Sequence, residues 1–129
     1  SLPGAEARVL EHMKKHAAIL RPKFEAVLNE LNSQLGDKNI ARWTNPKGGY
    51  FISLYVPEGC ASRVEELCAN AGMILTPAGA TYPYGKDPKD SNLRIAPSYP
   101  SVAELEKAAE VLCIAVKYAC LEKLVGEVK

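Results

Sequence analysis

An excess of charge of either sign is missing from this sequence: 16 Lys and Arg stand against 15 Asp and Glu in 129 residues, a net charge of +1. Gripping nucleic acid through its phosphates needs a basic surplus, so no nucleic-acid partner is expected. Long hydrophobic runs are missing too. No stretch approaches the roughly 18 apolar residues of a membrane helix, so no membrane partner is expected either. The first ten residues, SLPGAEARVL, lack the basic start and apolar centre of a secretory signal. Cysteine and histidine are sparse. Cys60, Cys68, Cys113 and Cys120 form no C-x-x-C, and His12 and His16 lie far from them in sequence. A zinc site needs closer ligands and a disulfide framework needs more cysteine, so the four read as reduced core thiols of a cytoplasmic protein. The i, i+4 spacing of His12 and His16 can bind a metal, but no third ligand is in view and no metal is expected. The glycines match neither G-x-G-x-x-G nor the P-loop, and H-E-x-x-H and G-x-S-x-G are absent. Aromatics make up 7% of the chain and interleave with few basic residues, which argues against a base-stacking platform.

What remains is the composition of one soluble globular domain over residues 1–129, 47% hydrophobic and 24% charged. Residues 5–35 carry apolar side chains at Val9, Met13, Ala17, Leu20, Phe24, Val27 or Leu28, Leu31 and Leu35, one helical stripe. Pro22 predicts a kink, or a break and restart, near Ala18 to Arg21, and Gly36-Asp37 ends the helix. Residues 40–56 are rich in β-branched and aromatic types around the turn Asn45-Pro46-Lys47-Gly48-Gly49, predicting a hairpin. Its second arm is nearly all apolar, so both faces of that strand are expected to be covered. Ser62-x-x-Glu65 predicts a capping box opening a short helix, and Met73-Ile74-Leu75-Thr76 a short strand. Pro77 to Asn92 reads as a long irregular loop, of the kind that carries function. Leu93 to Pro97 reads as a last strand. A second capping box, Ser101-x-x-Glu104, opens a final helix with Val102, Leu105, Ala109, Leu112, Val116, Ala119 or Cys120 and Leu124 on its buried stripe. The fold class is α+β: a small open, largely antiparallel sheet of about four strands with helices packed on it, in the order α-β-β-α-β-β-α.

Arg94 is singled out by physics alone. It lies between Leu93 and Ile95 on an otherwise apolar strand, so alternation sends it to the opposite face. If that face is covered, the guanidinium needs an anionic partner, and its planar fork suits a carboxylate. A solvated strand arginine, or an internal pair with Asp87, Asp90 or Glu104, would account for it equally well.

Three motifs carry a resemblance. Pro46-Lys47-Gly48-Gly49-Tyr50-Phe51-Ile52-Ser53-Leu54 is similar to the P-x-G-G-Y/F-F hairpin in the C-terminal small domain of fold type I pyridoxal-phosphate-dependent aminotransferases. The segment from Ala71 to Gly85 resembles that family's A-G-V-x-(V/L)-x-P-G-x-x-F stretch. Asn92-Leu93-Arg94-Ile95-Ala96-Pro97-Ser98 resembles its N-x-R-(I/L)-x-(F/P)-(S/A) strand. The longer form T-P-A-G-A-T-(F/Y)-P-Y-G, followed by Lys86-Asp87-Pro88, points to the MocR-like subfamily. The resemblance implies that Arg94 grips the substrate α-carboxylate, and that Gly48, Gly49 and Tyr82 line the active-site cleft. It also implies that pyridoxal 5′-phosphate, with its Schiff-base lysine, belongs to a large domain of the same polypeptide. That large domain would precede an inter-domain helix partly contained in residues 1–35. No catalytic residue and no cofactor are then expected in this chain, which would be inactive alone. The full-length protein would be a homodimer exchanging an amino group between an amino acid and a 2-oxo acid. A start at Ser1 fits an excised piece of such an enzyme. The alternative is a stand-alone regulatory module that uses Arg94 to bind an amino acid or other carboxylate.

Overall fold

The computed structural model describes residues 2–45, 51–69, 75–77, 87–97 and 101–128. Helix α1 (Leu2–Leu35) is followed by strands β1 (Arg42–Thr44) and β2 (Ile52–Tyr55) and helix α2 (Ala61–Leu67). Strands β3 (Leu75–Pro77) and β4 (Asn92–Ile95) and helix α3 (Val102–Val128) complete the chain, in the element order predicted above. The strands form one antiparallel sheet in the order β1-β2-β4-β3, so β4 is an interior strand.

Strand register decides which face is buried. Ile52 pairs with Ile95 and Leu54 with Leu93, while Trp43 lies opposite Leu54 and Leu75 opposite Ile95. Side chains alternate along a strand, so these residues share one face. Ile52, Leu54, Leu93 and Ile95 are all fully buried there. Phe24, Val27, Leu31 and Leu35 of α1, Val64 of α2, and Leu105, Ala109, Leu112 and Val116 of α3 complete the same core. The Cys113 thiol meets the Glu30 carbonyl oxygen at 3.7 Å, and one turn further along both helices Lys117 Nζ donates to Gln34 Oε1 at 3.0 Å. Helices α1 and α3 therefore run side by side in the same direction.

Several sequence expectations are corrected. Of the two outcomes expected at Pro22, a kink or a break and restart, the break does not occur: helix α1 continues through it. The residue whose carbonyl loses its partner to the proline, Ala18, is exposed, so water can take up the orphaned oxygen. The apolar stripe of α1 is buried only from Leu20 onward: Val9 and Leu10 are each 57% exposed and Ile19 60%. A periodic pattern marks a face that wants covering, and the described part of this chain covers only its second half. Strand β2 is not enclosed on both sides either. Ser53 and Tyr55 alternate with Ile52 and Leu54 and remain half-buried, as an aromatic body with a polar tip and a hydroxyl allow. Leu124 is exposed rather than on the buried stripe of α3, because the helix has by then run past the end of α1. Gly36 does end α1 as predicted. Its N–H donates to the Asn32 carbonyl at 3.1 Å, and a Cβ there would run into that same oxygen.

All four cysteines are free and buried, as the composition suggested. Burial pushes the Cys113 thiol up to about 12 and the Cys68 thiol up to about 11; it also raises Cys60 and Cys120. The thiolate is the reactive form, so these groups are inert while the core is closed. An aromatic disulfide reagent at pH 8 is expected to titrate almost no thiol in the native chain and all four after unfolding in guanidinium. Rapid native labelling at Cys68 or Cys113 would contradict this packing.

Candidate functional site

Burying Leu93 and Ile95 commits the alternate residues of β4 to the other face of the sheet, away from the helices. Arg94 is thus placed in the middle of the sheet, opposite Ser53 of β2 on one side and Thr76 of β3 on the other. The arginine is half-buried. Its guanidinium carbon sits 4.6 Å from the centre of the Phe51 ring, and among the described residues it forms no ion pair. Phe51 precedes β2 and is diagonal to Arg94 across the ladder, within reach of a long side chain.

The three carboxylates that could have neutralised Arg94 are occupied elsewhere or remote. Asp87 accepts three backbone N–H bonds: Lys89 at 3.0 Å on one oxygen, Ser91 at 2.9 Å and Asn92 at 3.1 Å on the other. These amides, Ser91 first, hold its carboxyl below the usual carboxylate range against a smaller opposing effect of burial. Asp90 Oδ1 accepts from both the N–H of Ser62, at 3.0 Å, and its hydroxyl, at 2.7 Å. Glu104 is exposed in the first turn of α3, and its N–H donates to Ser101 Oγ at 3.2 Å, the predicted cap of that helix.

The segment 87–91, read from sequence as part of an irregular loop, is a tied turn that anchors the start of β4. Besides the Asp87 bonds, Lys89 O accepts from Gly59 N–H at 2.9 Å, Asp90 O from Ala61 N–H at 2.9 Å, and Ser91 O from Val56 N–H at 2.8 Å. Asp90 adopts φ 48°, a conformation that aspartate tolerates better than most residues. The capping box predicted at Ser62-x-x-Glu65 is not formed. Helix α2 begins at Ala61, its N-cap position is Cys60 without a side-chain cap bond, and Asp90 supplies the acceptor from a distance of 28 residues in sequence. Local pattern could not reveal a cap contributed by a remote turn.

Asn92, the buried polar residue of this face at 6% exposure, donates to Ser53 Oγ at 2.9 Å and to the Leu54 carbonyl at 3.2 Å. Arg42 of the edge strand β1 lies over the Tyr55 ring at 3.8 Å, beside a shallow depression of about 350 Å³ bounded by Asn39 to Arg42 and Tyr55 to Pro57. Phe51 and Asn92 were not singled out from sequence. The available signal was the period of two that puts Phe51 and Ser53 on the same face as Arg94. Gly48, Gly49 and Tyr82, the other residues expected at the cleft, lie outside the described residues.

Among the described residues no three of His, Cys, Asp and Glu are grouped to hold a metal ion. Nor does a lysine face an anion cradle. Lys117 donates to Gln34, Lys123 to the Glu58 carbonyl at 2.8 Å, and Lys38 and Lys89 lie 4.0 Å from Asp37 and Glu58. Lys14, Lys15 and Lys107 are exposed on helix surfaces. None of these seven lysines is placed beside Arg94 by a printed contact. The described residues present a guanidinium with its hydrogen-bonding edge free, on a rigid strand.

A family model described as "Aspartate amino-transferase" matches residues 2–128. An aspartate aminotransferase of Corynebacterium glutamicum is 53% identical over 110 residues, which cover 85% of this chain and 26% of that protein. The crystal structure of an aspartate transaminase from the same organism superposes with a TM-score of 0.79 at 52% identity, over 86% of this chain and 26% of the other. A putative aminotransferase of Mycolicibacterium smegmatis is 43% identical over 119 residues, 92% of this chain and 28% of that protein. The chain thus spans about a quarter of the length of the curated relatives it matches.

Two measurements check the anchoring turn. Asp90→Ala is expected to cost about 1–2 kcal/mol in urea unfolding, and Asp90→Asn much less, because the amide keeps both the acceptor and the backbone tolerance. Glu65→Ala should stay within about 0.5 kcal/mol of wild type, since that side chain caps nothing. Asp87 has a lowered folded-state pKa, so its contribution is present above the ordinary carboxylate value near 4 and is lost as the pH falls below it. Stability measured from pH 6 down to pH 2 should therefore fall less steeply in Asp87→Asn than in wild type.

Proposed function

Since the chain belongs to the aspartate amino-transferase family, we propose that it is the C-terminal small domain of a pyridoxal-phosphate-dependent transaminase and that Arg94 is its clamp for the substrate α-carboxylate. The reading is supported by one observation above all: an arginine on an interior strand, half-buried, with no acidic partner among the described residues. An arginine kept for structure alone is normally neutralised. One kept for a ligand must leave its fork open, because a resident carboxylate would compete with the incoming one.

The Arg94 guanidinium would donate two parallel N–H bonds to the carboxylate of an amino acid or 2-oxo acid, fixing the plane and direction of the substrate's Cα. Such orientation lowers the entropic part of the barrier, and a rigid β-strand holds it better than a loop would. Pyridoxal phosphate would accept and return the amino group, and in this reading its binding and its lysine belong to the remainder of the enzyme. The small domain's own part is to bind the carboxylate, orient it and help exclude water when it closes against the large domain. Aspartate is the amino donor suggested by the names of the family and of the 53%-identical relative. The T-P-A-G-A-T motif is the basis for a MocR-like placement, and a cytoplasmic homodimer is the assembly proposed for the whole enzyme.

In the whole enzyme, Arg94→Ala is expected to lower kcat/KM for L-aspartate by about 10²–10³, the loss of a two-bond charged contact, with Arg94→Lys intermediate. The 129-residue chain by itself should neither transaminate nor bind pyridoxal phosphate saturably. Calorimetric binding of L-aspartate to the isolated chain, abolished by Arg94→Ala, would overturn the domain reading in favour of a stand-alone carboxylate sensor.

A further inference from the structure

Arg94 needs something to hold it. Its stem leaves the sheet between Ser53 and Thr76, and among the described residues the contact made by its guanidinium is with the Phe51 ring, 4.6 Å away. The geometry points to Phe51 as the positioning residue of the carboxylate grip, an aromatic seat that orients the fork without occupying it; this rests on the reading of Arg94 as the clamp.

The reasoning concerns where each kind of partner touches a guanidinium. A carboxylate or carbonyl binds in the plane of the group and consumes its N–H donors. A ring binds its flat face through the negative face of the π-system and leaves all five in-plane donors available. A site that must accept a carboxylate, release it and accept another cannot keep an anion of its own in that plane. The surroundings agree. Asp87 is bound by three backbone amides and Asp90 by Ser62, and the Ser53 hydroxyl oxygen is engaged by Asn92. Among the described residues the hydroxyl opposite Arg94 on β2 and the two carboxylates preceding β4 are thus engaged, and the ring is left as the orienting contact. A flexible arginine loses rotamer freedom when it grips a ligand; one already seated loses less, which favours binding.

Steady-state kinetics of the whole transaminase test this, with L-aspartate as the amino donor and succinate as a non-reacting carboxylate. Phe51→Leu keeps an apolar side chain but removes the ring face, and should raise KM for aspartate and Ki for succinate about tenfold. Its kcat should stay within about threefold of wild type, and Phe51→Tyr, which restores the ring, should return both constants to near wild type. Phe51→Glu should weaken both ligands more than Phe51→Leu, because it puts a competing anion beside the fork. Wild-type constants in Phe51→Leu, alongside weakened binding in Arg94→Ala, would overturn the role of Phe51 and leave the clamp standing. Wild-type binding in Arg94→Ala would overturn both. Equal losses of kcat and melting temperature in Phe51→Leu and Phe51→Tyr, without the split between KM and kcat, would mark the ring as packing only. Should Phe51→Leu be insoluble, Phe51→Met makes the same comparison.

Discussion

Ile52, Leu54, Leu93 and Ile95 are pinned beneath α1 and α3, and everything the sheet presents on its opposite side follows from that burial. A one-residue slip of β4 would drive the guanidinium of Arg94 into the helix-covered core and turn two leucine-sized groups toward water. The cost of burying an unpaired charge makes that alternative inaccessible. The placement of Arg94 is therefore a product of hydrophobic packing elsewhere, and the same packing makes the strand rigid.

The other consequence is electrostatic. In small domains, carboxylates near a partly buried arginine tend to collapse onto it. Here Asp87 and Asp90 instead cap backbone groups, and each is held by donors that are themselves fixed by the turn and by α2. The arrangement removes the two nearest anions in sequence from competition. Among the described residues, the positive charge of Arg94 is left with a ring face at 4.6 Å in place of a counter-ion. The chain spans about a quarter of the length of the curated relatives it matches.

Element type and order were legible in the sequence because periodicity reports burial directly: Leu105, Ala109, Leu112 and Val116 in α3, Phe24, Val27, Leu31 and Leu35 in α1, and Leu93 and Ile95 in β4 are all core. What was illegible depended on contacts between distant segments. Ser62 and Glu65 have the spacing of a cap, yet the Ser62 amide donates to Asp90. Val9 and Ala17 extend a stripe that the described residues leave exposed, so the pattern over-reported the core. Of the site, Arg94 was visible as an anomaly within an apolar strand. Phe51 was not, because its meaning comes from a diagonal across two strands. The apolar residues Val111, Ile114, Tyr118, Leu121 and Val125 of α3, each 41–60% exposed, were not read from the sequence either, because only the buried stripe of that helix was followed.

The tied turn at 87–91 lies at the surface, with Pro88 and Lys89 exposed, where chains ordinarily tolerate added residues. This one does not have that freedom. Its carbonyls at Lys89, Asp90 and Ser91 accept from the amides of Gly59, Ala61 and Val56, so an extra residue here would pull at least one acceptor away from its donor. The length of this bend is therefore set by partners remote in sequence, at the end of β2 and on the approach to α2, and not by the solvent it faces.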